Sequence, residues 1–322
     1  MSKVKDTDYL CLSAMLRAKE AKMLTKDKLE RILTEPSFAD AARTLVDCGY
    51  EDMSAMDTKA VNEALERRRA AEVEDVSSMT ADKAVVDVFR LKYEYHNAKA
   101  IVKSGGKAEN LVSEAGRNPA EVLYNAYETG DYDGLPAEFA AAFEEAKLVL
   151  ARTGNPQLAD FVLDRAYFGE LGALAESTGN EFIAGYVREL VDAANVRTAV
   201  RIMKMGKNAQ LLSSALIPGG SIDCDAIIAA SESRDGLKQL YAPTRFAKAL
   251  ETEGMTAFEL ACDNAVNSYL AECERVAFGP SVVMGYLAAV ENEIMSVRII
   301  MTGKLMGIES KLLRERLRDS YV

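Results

Sequence analysis

The sequence predicts an all-α protein, and three observations support this prediction. Only seven prolines occur in 322 residues, so few positions interrupt a helix. Apolar residues recur at three- and four-residue spacing over nearly the whole chain, which is the period of an amphipathic helix. We find no segment with the strict two-residue alternation that is typical of a half-buried strand.

Composition narrows the class of protein. Hydrophobic residues make up 49% and charged residues 28% of the chain, as in soluble globular proteins, and the length allows two or three domains. The net charge of −11 argues against nucleic acid or an acidic lipid surface as a partner. The five cysteines are odd in number and form no Cys-x-x-Cys pair, which predicts reduced thiols. We expect neither a signal peptide nor a membrane-spanning segment.

The first third of the chain is predicted to be helical, and its last helix ends at Gly105-Gly106. A charged segment, residues 62–72, interleaves both signs, and we interpret it as a solvated helix face rather than a binding surface. The predicted helices of this part are Tyr9 to Met23, Lys26 to Leu33, Ser37 to Asp47 and Ala81 to Ser104.

The rest of the chain is divided by clear breakers, of which Thr153-Gly154-Asn155-Pro156 is the strongest and Pro218-Gly219-Gly220 opens the last third. The predicted helices are Pro119 to Thr129, Pro136 to Arg152, Gln157 to Ser177, Glu181 to Met205, Asp225 to Ser231, Thr244 to Glu251, Thr256 to Val276, a long helix from Pro280 to Thr302, and Ser310 to Arg318.

One motif occurs three times, about 100 residues apart, which is typical of a repeated structural unit. It has an acid at position zero, Asn or Ser at plus three, a base at plus five and, in two copies, a base at plus nine. Its residues are Glu94, Asn97, Lys99 and Lys103; Asp192, Asn195, Arg197 and Arg201; and Glu293, Ser296 and Arg298. The period predicts helical repeat domains over residues 1–106, 107–208 and 209–322, and it allows the N-terminal and C-terminal helices to pack together.

The repeated acids lie on the apolar face of their predicted helices. A buried carboxylate needs a partner, and we expect a helix N-terminus or a basic side chain from the same or a neighbouring repeat. A general acid or base tuned by burial is the alternative. Three equivalent copies favour the structural role, and an all-α enzyme that uses Glu94, Asp192 or Glu293 remains an alternative.

Other candidate catalytic or binding residues lack the partner residues that a metal site or a phosphate-binding loop requires. The only histidine, His96, has no neighbouring Cys or second His for a metal site. The pairs Gly206-Lys207 and Gly303-Lys304 lack the second glycine of a phosphate-binding loop, since Arg201 and Arg298 stand five residues before. The sequence therefore predicts no catalytic residue, metal site, cofactor or nucleotide.

The three motifs together resemble those of the C subunit of the V-type and archaeal-type rotary ATPases, the family that includes the d subunit of the eukaryotic V-ATPase. The first resembling segment is Tyr93-Glu94-Tyr95-His96-Asn97-Ala98-Lys99 with Lys103, the second Asn195 to Arg201, and the third Glu293 to Ile300 with Gly303-Lys304-Leu305 and Gly307. The ending from Leu313 to Arg318 and on to Tyr321-Val322 is also similar. Ser296 stands where the family often has Asn, and Glu94 where Asp is commoner.

The resemblance implies a funnel of three similar helical domains with pseudo-threefold symmetry. It implies a non-catalytic rotor subunit, one per complex, on the cytoplasmic face of the membrane. Such a subunit links the central-stalk D and F subunits to the proteolipid ring and transmits torque for proton or sodium transport. A free-standing helical-repeat scaffold that binds other soluble proteins is the alternative.

Overall fold

The structure is a computed structural model that describes residues 4–108, 111–206 and 209–320. Within these ranges the chain forms α-helices and short 3-10 helices and no strand, so the all-α prediction is confirmed there. The helices are α1 (Leu10–Glu20), α2 (Lys26–Thr34), α3 (Phe38–Val46), α4 (Thr58–Met79), α5 (Lys83–Ser104), α6 (Ala120–Thr129), α7 (Ala137–Thr153), α8 (Pro156–Thr178), α9 (Glu181–Lys204), α10 (Ala209–Ala215), α11 (Cys224–Ala230), α12 (Arg234–Tyr241), α13 (Ala247–Glu251), α14 (Met255–Leu270), α15 (Pro280–Leu305) and α16 (Ser310–Arg314). Lys207 of the first Gly-Lys pair, the predicted boundary after residue 208 and the ending Tyr321-Val322 lie outside the described residues.

Two helices, α10 and α12, were not predicted from the sequence. The N-terminus of α12 carries a local signal, because the Ser233 hydroxyl accepts a hydrogen bond from the Gly236 backbone N–H at 3.0 Å. Serine is among the preferred N-cap residues. The helix is only eight residues long and contains a glycine, which weakens the helical pattern.

Two predicted helices are shorter than expected, and each ends close to a contact with a distant part of the chain. The predicted helix from Thr256 to Val276 ends as α14 at Leu270 and continues as a 3-10 helix, Ala271–Arg275. There the Arg17 guanidinium donates to the backbone oxygens of Cys273 (2.6 Å) and Val276 (3.1 Å). A partner more than 250 residues away in the chain, which no local pattern encodes, thus coincides with the end of the regular helix.

The predicted C-terminal helix to Arg318 ends at Arg314. Beyond it the chain reaches α14, where Arg318 Nε donates to Asp263 (2.7 Å) and the Asp319 backbone N–H donates to Asn264 (3.0 Å). Close packing holds α16 against α15, because a β-carbon on Gly303 would overlap the side chain of buried Leu313.

The first compact unit is Val73–Val187. Within it α5 packs against α6, α7 and α8, and α7 packs against α8. The ring of Tyr95 meets Phe139 of α7 edge-on at 5.1 Å between centroids, and Tyr167 of α8 at 5.6 Å. Aromatic pairs in this geometry add stabilisation beyond area burial. The helix with the first copy of the motif is therefore the centre of this unit.

The second compact unit combines Met1–Glu72 with Arg188–Val322. Its central helix is α15, which packs against α1, α2, α3, α14 and α16 and is buried along most of its length. A helix that is apolar on all sides requires such surroundings. Segments from the two ends of the chain thus share one core.

The charged segment 62–72 is less solvated than the sequence suggested. It lies in α4, where the Arg69 side chain is buried and pairs with Glu66 and, at 2.9 Å, with Glu291 of α15. Interleaved charges predict a solvated face only when no partner helix covers them. In α4 part of the charge instead forms ion pairs with the buried arginine, whose partners Glu66 and Glu291 are about one-fifth exposed.

Candidate functional site

The residues of the repeated motif lie on the three long helices α5, α9 and α15. The acid at position zero is buried in every copy, with 0% of Glu94, 2% of Asp192 and 7% of Glu293 exposed. A carboxylate at such a position requires hydrogen-bond donors or a cation. Each acid has them, and we call the acid with its donors a clamp.

The Glu94 clamp is closed by a cation and an amide. Arg117 Nε donates to Glu94 at 2.5 Å, and the Asn118 side-chain amide donates to the other carboxylate oxygen. The same guanidinium also pairs with Glu170 of α8 at 2.7 Å. Burial is the largest influence on the pKa of Glu94 and raises it above its ordinary value, while Arg117 and Asn118 oppose this shift. Both donors lie just before α6.

The Asp192 clamp is closed by neutral donors. The Ser221 backbone N–H donates to Asp192 at 3.0 Å, and the Ser221 hydroxyl donates to it as well. The Ile222 backbone N–H is at 3.4 Å. A β-carbon on Gly220 would overlap the carboxylate, so this position requires glycine. This loop lies just before α11.

The hydrogen-bond donors of the Glu293 clamp come from the N-terminal part of the chain. The Leu24 backbone N–H, just before α2, donates to Glu293 at 2.6 Å, and the Tyr50 hydroxyl donates at 2.7 Å. The Arg68 guanidinium lies 3.5 Å from the carboxylate and 3.9 Å from the centroid of the Tyr50 ring. Burial, followed by the charge of Glu293, raises the pKa of Tyr50 well above its ordinary value, which keeps the hydroxyl a donor.

The plus-three residue binds a loop backbone in two directions. The Asn97 amide donates to the Ser113 carbonyl at 2.8 Å and accepts from the Ser113 N–H at 2.8 Å. Asn195 makes the same pair of bonds with Ile217, at 2.7 and 2.9 Å. Both asparagines are completely buried. A side-chain amide here replaces the missing backbone partner of a buried loop residue. The third copy has buried Ser296 at this position.

The basic residues connect each long helix to a second one. Lys99 and Lys103 pair with Asp164 and Asp160 of α8, the latter at 3.0 Å. In the second copy Arg197 pairs with Asp263 (2.5 Å) and Arg201 with Glu259 (2.6 Å), both of α14. In the third, Arg298 lies 3.5 Å from Glu66 of α4.

The spacing of these ion pairs repeats almost without change. The plus-five partners are separated by 65 and 66 residues in the first two copies, and the plus-nine partners by 57 and 58. Bases four residues apart therefore meet acids four residues apart in reverse order, as on antiparallel helices. These acids and the clamp donors were not predicted from the sequence. Acid pairs at that spacing upstream of the next long helix were the available signal for the acids.

The contacts described above for the motif residues are contacts within the chain. Each acid is held in internal hydrogen bonds, and His96 Nε2 is 2.9 Å from the Leu111 carbonyl oxygen. Across the described residues, no group of three or more His, Cys, Asp or Glu side chains is arranged to hold a metal ion. No helix in the described part of the chain has both the length and the apolar character needed to cross a membrane.

Comparisons with known proteins agree with the resemblance of the motifs. The family model described as ATP synthase (C/AC39) subunit matches residues 12–316. The C subunit of a V-type sodium ATPase from Enterococcus hirae is 22% identical over 98% of this chain and 99% of its own length. The C subunits of A-type ATP synthases from Desulfurococcus sp. and Thermococcus onnurineus are 24% and 25% identical over 97% and 98% of the chain, and over 91% and 92% of their own lengths.

Proposed function

The chain belongs to the ATP synthase (C/AC39) subunit family, and we propose that it is the non-catalytic rotor connector of a V/A-type rotary ATPase. In this role it links the central-stalk D and F subunits to the membrane proteolipid ring and transmits torque between them. It is peripheral, on the cytoplasmic face of the membrane, with one copy per complex. It needs no cofactor or nucleotide of its own.

The observation that supports this proposal most strongly is the set of contacts made by the acids and bases of the repeated motif. Every acid of the motif closes a clamp on a loop, and the bases tie the same helix to a second long helix. A part that carries torque must resist deformation, and buried polar contacts of this kind fix the relation of neighbouring segments. A catalytic residue would instead face a substrate.

The three-domain division over residues 1–106, 107–208 and 209–322 is part of the proposal. We propose that the domains are related by pseudo-threefold symmetry and form a funnel that receives the stalk. The near-constant spacing of the ion pairs in the first two copies supports a common ancestor for these repeats. The ion that is moved depends on the ring, so this proposal covers both protons and sodium.

Co-purification tests the connector role directly. The tagged full chain is isolated from its native membranes under conditions that keep the ATPase intact. We expect recovery of both the central stalk and the proteolipid ring, with one copy of the chain per complex. Recovery of neither from intact complexes would refute the proposal and would favour a free-standing scaffold.

A further inference from the structure

The segment that follows α16 lies on the surface of α14 without an apolar anchor of its own. Leu313 of α16 is the last buried residue that the structure describes, because residues 314–320 are all half-buried or exposed. Residues 317–320 have no regular secondary structure. Their position is nevertheless defined by polar contacts with α14. We call residues 315–320 the latch.

The side chains of α14 bind the latch at two consecutive residues. The Asp319 backbone N–H donates to the Asn264 side-chain oxygen at 3.0 Å, and the Asn264 amide donates to the Asp319 carboxylate at 2.8 Å. The Asn267 amide donates to the Asp319 carbonyl oxygen at 3.1 Å. Arg318 Nε donates to the Asp263 carboxylate at 2.7 Å. The backbone contacts hold the chain in place, while the contacts to the carboxylate and the guanidinium select an Arg-Asp sequence.

The repeat does not require the two asparagines. The plus-five base pairs with Asp164 of α8 in the first copy and with Asp263 of α14 in the second. One and four residues after this aspartate, α14 has Asn264 and Asn267, whereas α8 has an arginine and a phenylalanine. The ion pair between the long helices is thus present in both copies, and the asparagines occur only in the copy that binds the latch. Binding of the latch explains them, and packing of the repeat does not.

Asp263 takes part in both arrangements at once. Its Oδ1 is 2.5 Å from Arg197 of α9, and its Oδ2 is 2.7 Å from Arg318. Arg197 also pairs with Glu259 at 2.9 Å. The latch therefore adds a second cation to this ion pair without displacing the first, and its release leaves the contacts between α9 and α14 in place.

We propose that Asp263, Asn264 and Asn267 form a peptide-binding site for an Arg-Asp sequence in a non-helical segment, and that the latch of the same chain is its ligand. Hydrogen bonds at the surface compete with bonds to water, so the latch opens and closes while the helices beneath it stay folded. The site lies outside the repeated motif, and the inference does not depend on the connector role.

Peptide binding to the full chain tests the site. Arg318→Ala with Asp319→Ala gives a latch variant whose own segment no longer competes for α14. The probe is a fluorescent peptide of residues 314–322 with the wild-type sequence, and its anisotropy is measured. We expect it to bind the latch variant at least about tenfold more tightly than the wild type, because a tethered segment competes at high effective concentration. The affinity should fall as salt is added.

Two controls identify the residues involved. The same peptide with both alanines should bind neither chain. Asn264→Ala with Asn267→Ala, added to the latch variant, should abolish binding, whereas Arg165→Ala at the corresponding position of α8 should leave it unchanged. Absence of binding to a folded latch variant, equal binding to wild type and latch variant, or equal binding of both peptides would overturn the inference. A wild-type dimer that becomes a monomer in the latch variant would overturn the intramolecular latch, because the ligand would then come from a second copy.

Hydrogen exchange gives a readout that needs no peptide and decides the matter if the latch variant does not fold. In the full chain, Asn264→Ala should speed exchange at the Asp319 amide at least about tenfold, since that amide loses its acceptor. Exchange of the amides within α14 should not change. Equal exchange at Asp319 in wild type and Asn264→Ala would contradict the proposed site.

Discussion

The Glu94 and Asp192 clamps occupy the same position of the repeat and are closed by different chemistry. Glu94 accepts from the Arg117 guanidinium and the Asn118 amide, whereas Asp192 accepts from the backbone and hydroxyl of Ser221. In both, the donors lie in the loop just before a helix. The repeat thus keeps a buried acid and the place of its partner, while the identity of the donor changes.

This difference has an energetic consequence. A buried cation left without its anion is costly, because the charge cannot return to water. A backbone N–H left without an acceptor costs less, about 1–3 kcal/mol. Loss of the acid should therefore destabilise the two clamps unequally, although the acids are buried to nearly the same extent.

The largest expected effect comes from Glu94→Ala, which leaves the Arg117 cation in a largely buried site, 17% exposed, with Glu170 as its remaining ion-pair partner. We expect a loss of about 3–5 kcal/mol in the free energy of unfolding. Asp192→Ala should lose about 1–3 kcal/mol. Urea denaturation followed by circular dichroism measures both. A loss for Asp192→Ala that equals or exceeds the loss for Glu94→Ala would show that the charge of the donor is unimportant.

Substitution of the plus-three asparagine should destabilise the first two copies of the repeat to a similar extent. Asn97→Ala and Asn195→Ala each remove two backbone contacts from a buried loop residue. We expect about 1–3 kcal/mol of destabilisation for each, with faster hydrogen exchange at the amides of Ser113 and Ile217. Asn97→Asp is the matched variant, because it keeps the acceptor and removes the donor. Unchanged exchange at these amides would contradict the role of the asparagines.

The raised pKa of Glu94 predicts that the contribution of this clamp to the free energy of unfolding depends on pH. The folded pKa of Glu94 lies above its ordinary value of 4.5, so the folded state holds this proton more tightly than the unfolded state does. Stability from Glu94 is thus full below pH 4.5 and declines as the pH rises through the folded pKa. The free energy of unfolding of wild type minus that of Glu94→Gln should fall over this window and then level off. A difference that rises with pH would contradict this prediction.

The smallest effects are expected at the partly exposed ion pairs. Lys103 pairs with Asp160, and Arg201 with Glu259, both near solvent. Lys103→Ala and Arg201→Ala should each change the free energy of unfolding by no more than about 1 kcal/mol. The change should shrink in high salt, because screening weakens exposed pairs. A larger, salt-independent loss in either variant would indicate that its ion pair is part of the core.

Part of the candidate site could be predicted from the sequence. Position zero was predicted to lie on an apolar face and to need a partner, and the buried carboxylates with their donors agree with that expectation. The partners themselves were not predictable. They are separated from their acids by 23 residues for Arg117, 29 for Ser221 and 269 for Leu24, and no common spacing exists to find them.

The sequence by itself determined most of the helices and the register of the repeat. Both depend on neighbours within about one turn: the 3.6-residue apolar period, the caps and the glycines that end helices. Gly105 ends α5 with a left-handed backbone at φ 64°, at the position where the sequence predicted a helix end.

Only the tertiary structure decided which segments meet. It placed the beginning of the chain against α15 in the Glu293 clamp and buried Arg69 between Glu66 and Glu291. It also replaced the end of the predicted helix at Val276 by a 3-10 turn held by Arg17. These contacts join residues distant in the chain, and their free energy depends on burial and on donor geometry that exist only after the helices have packed.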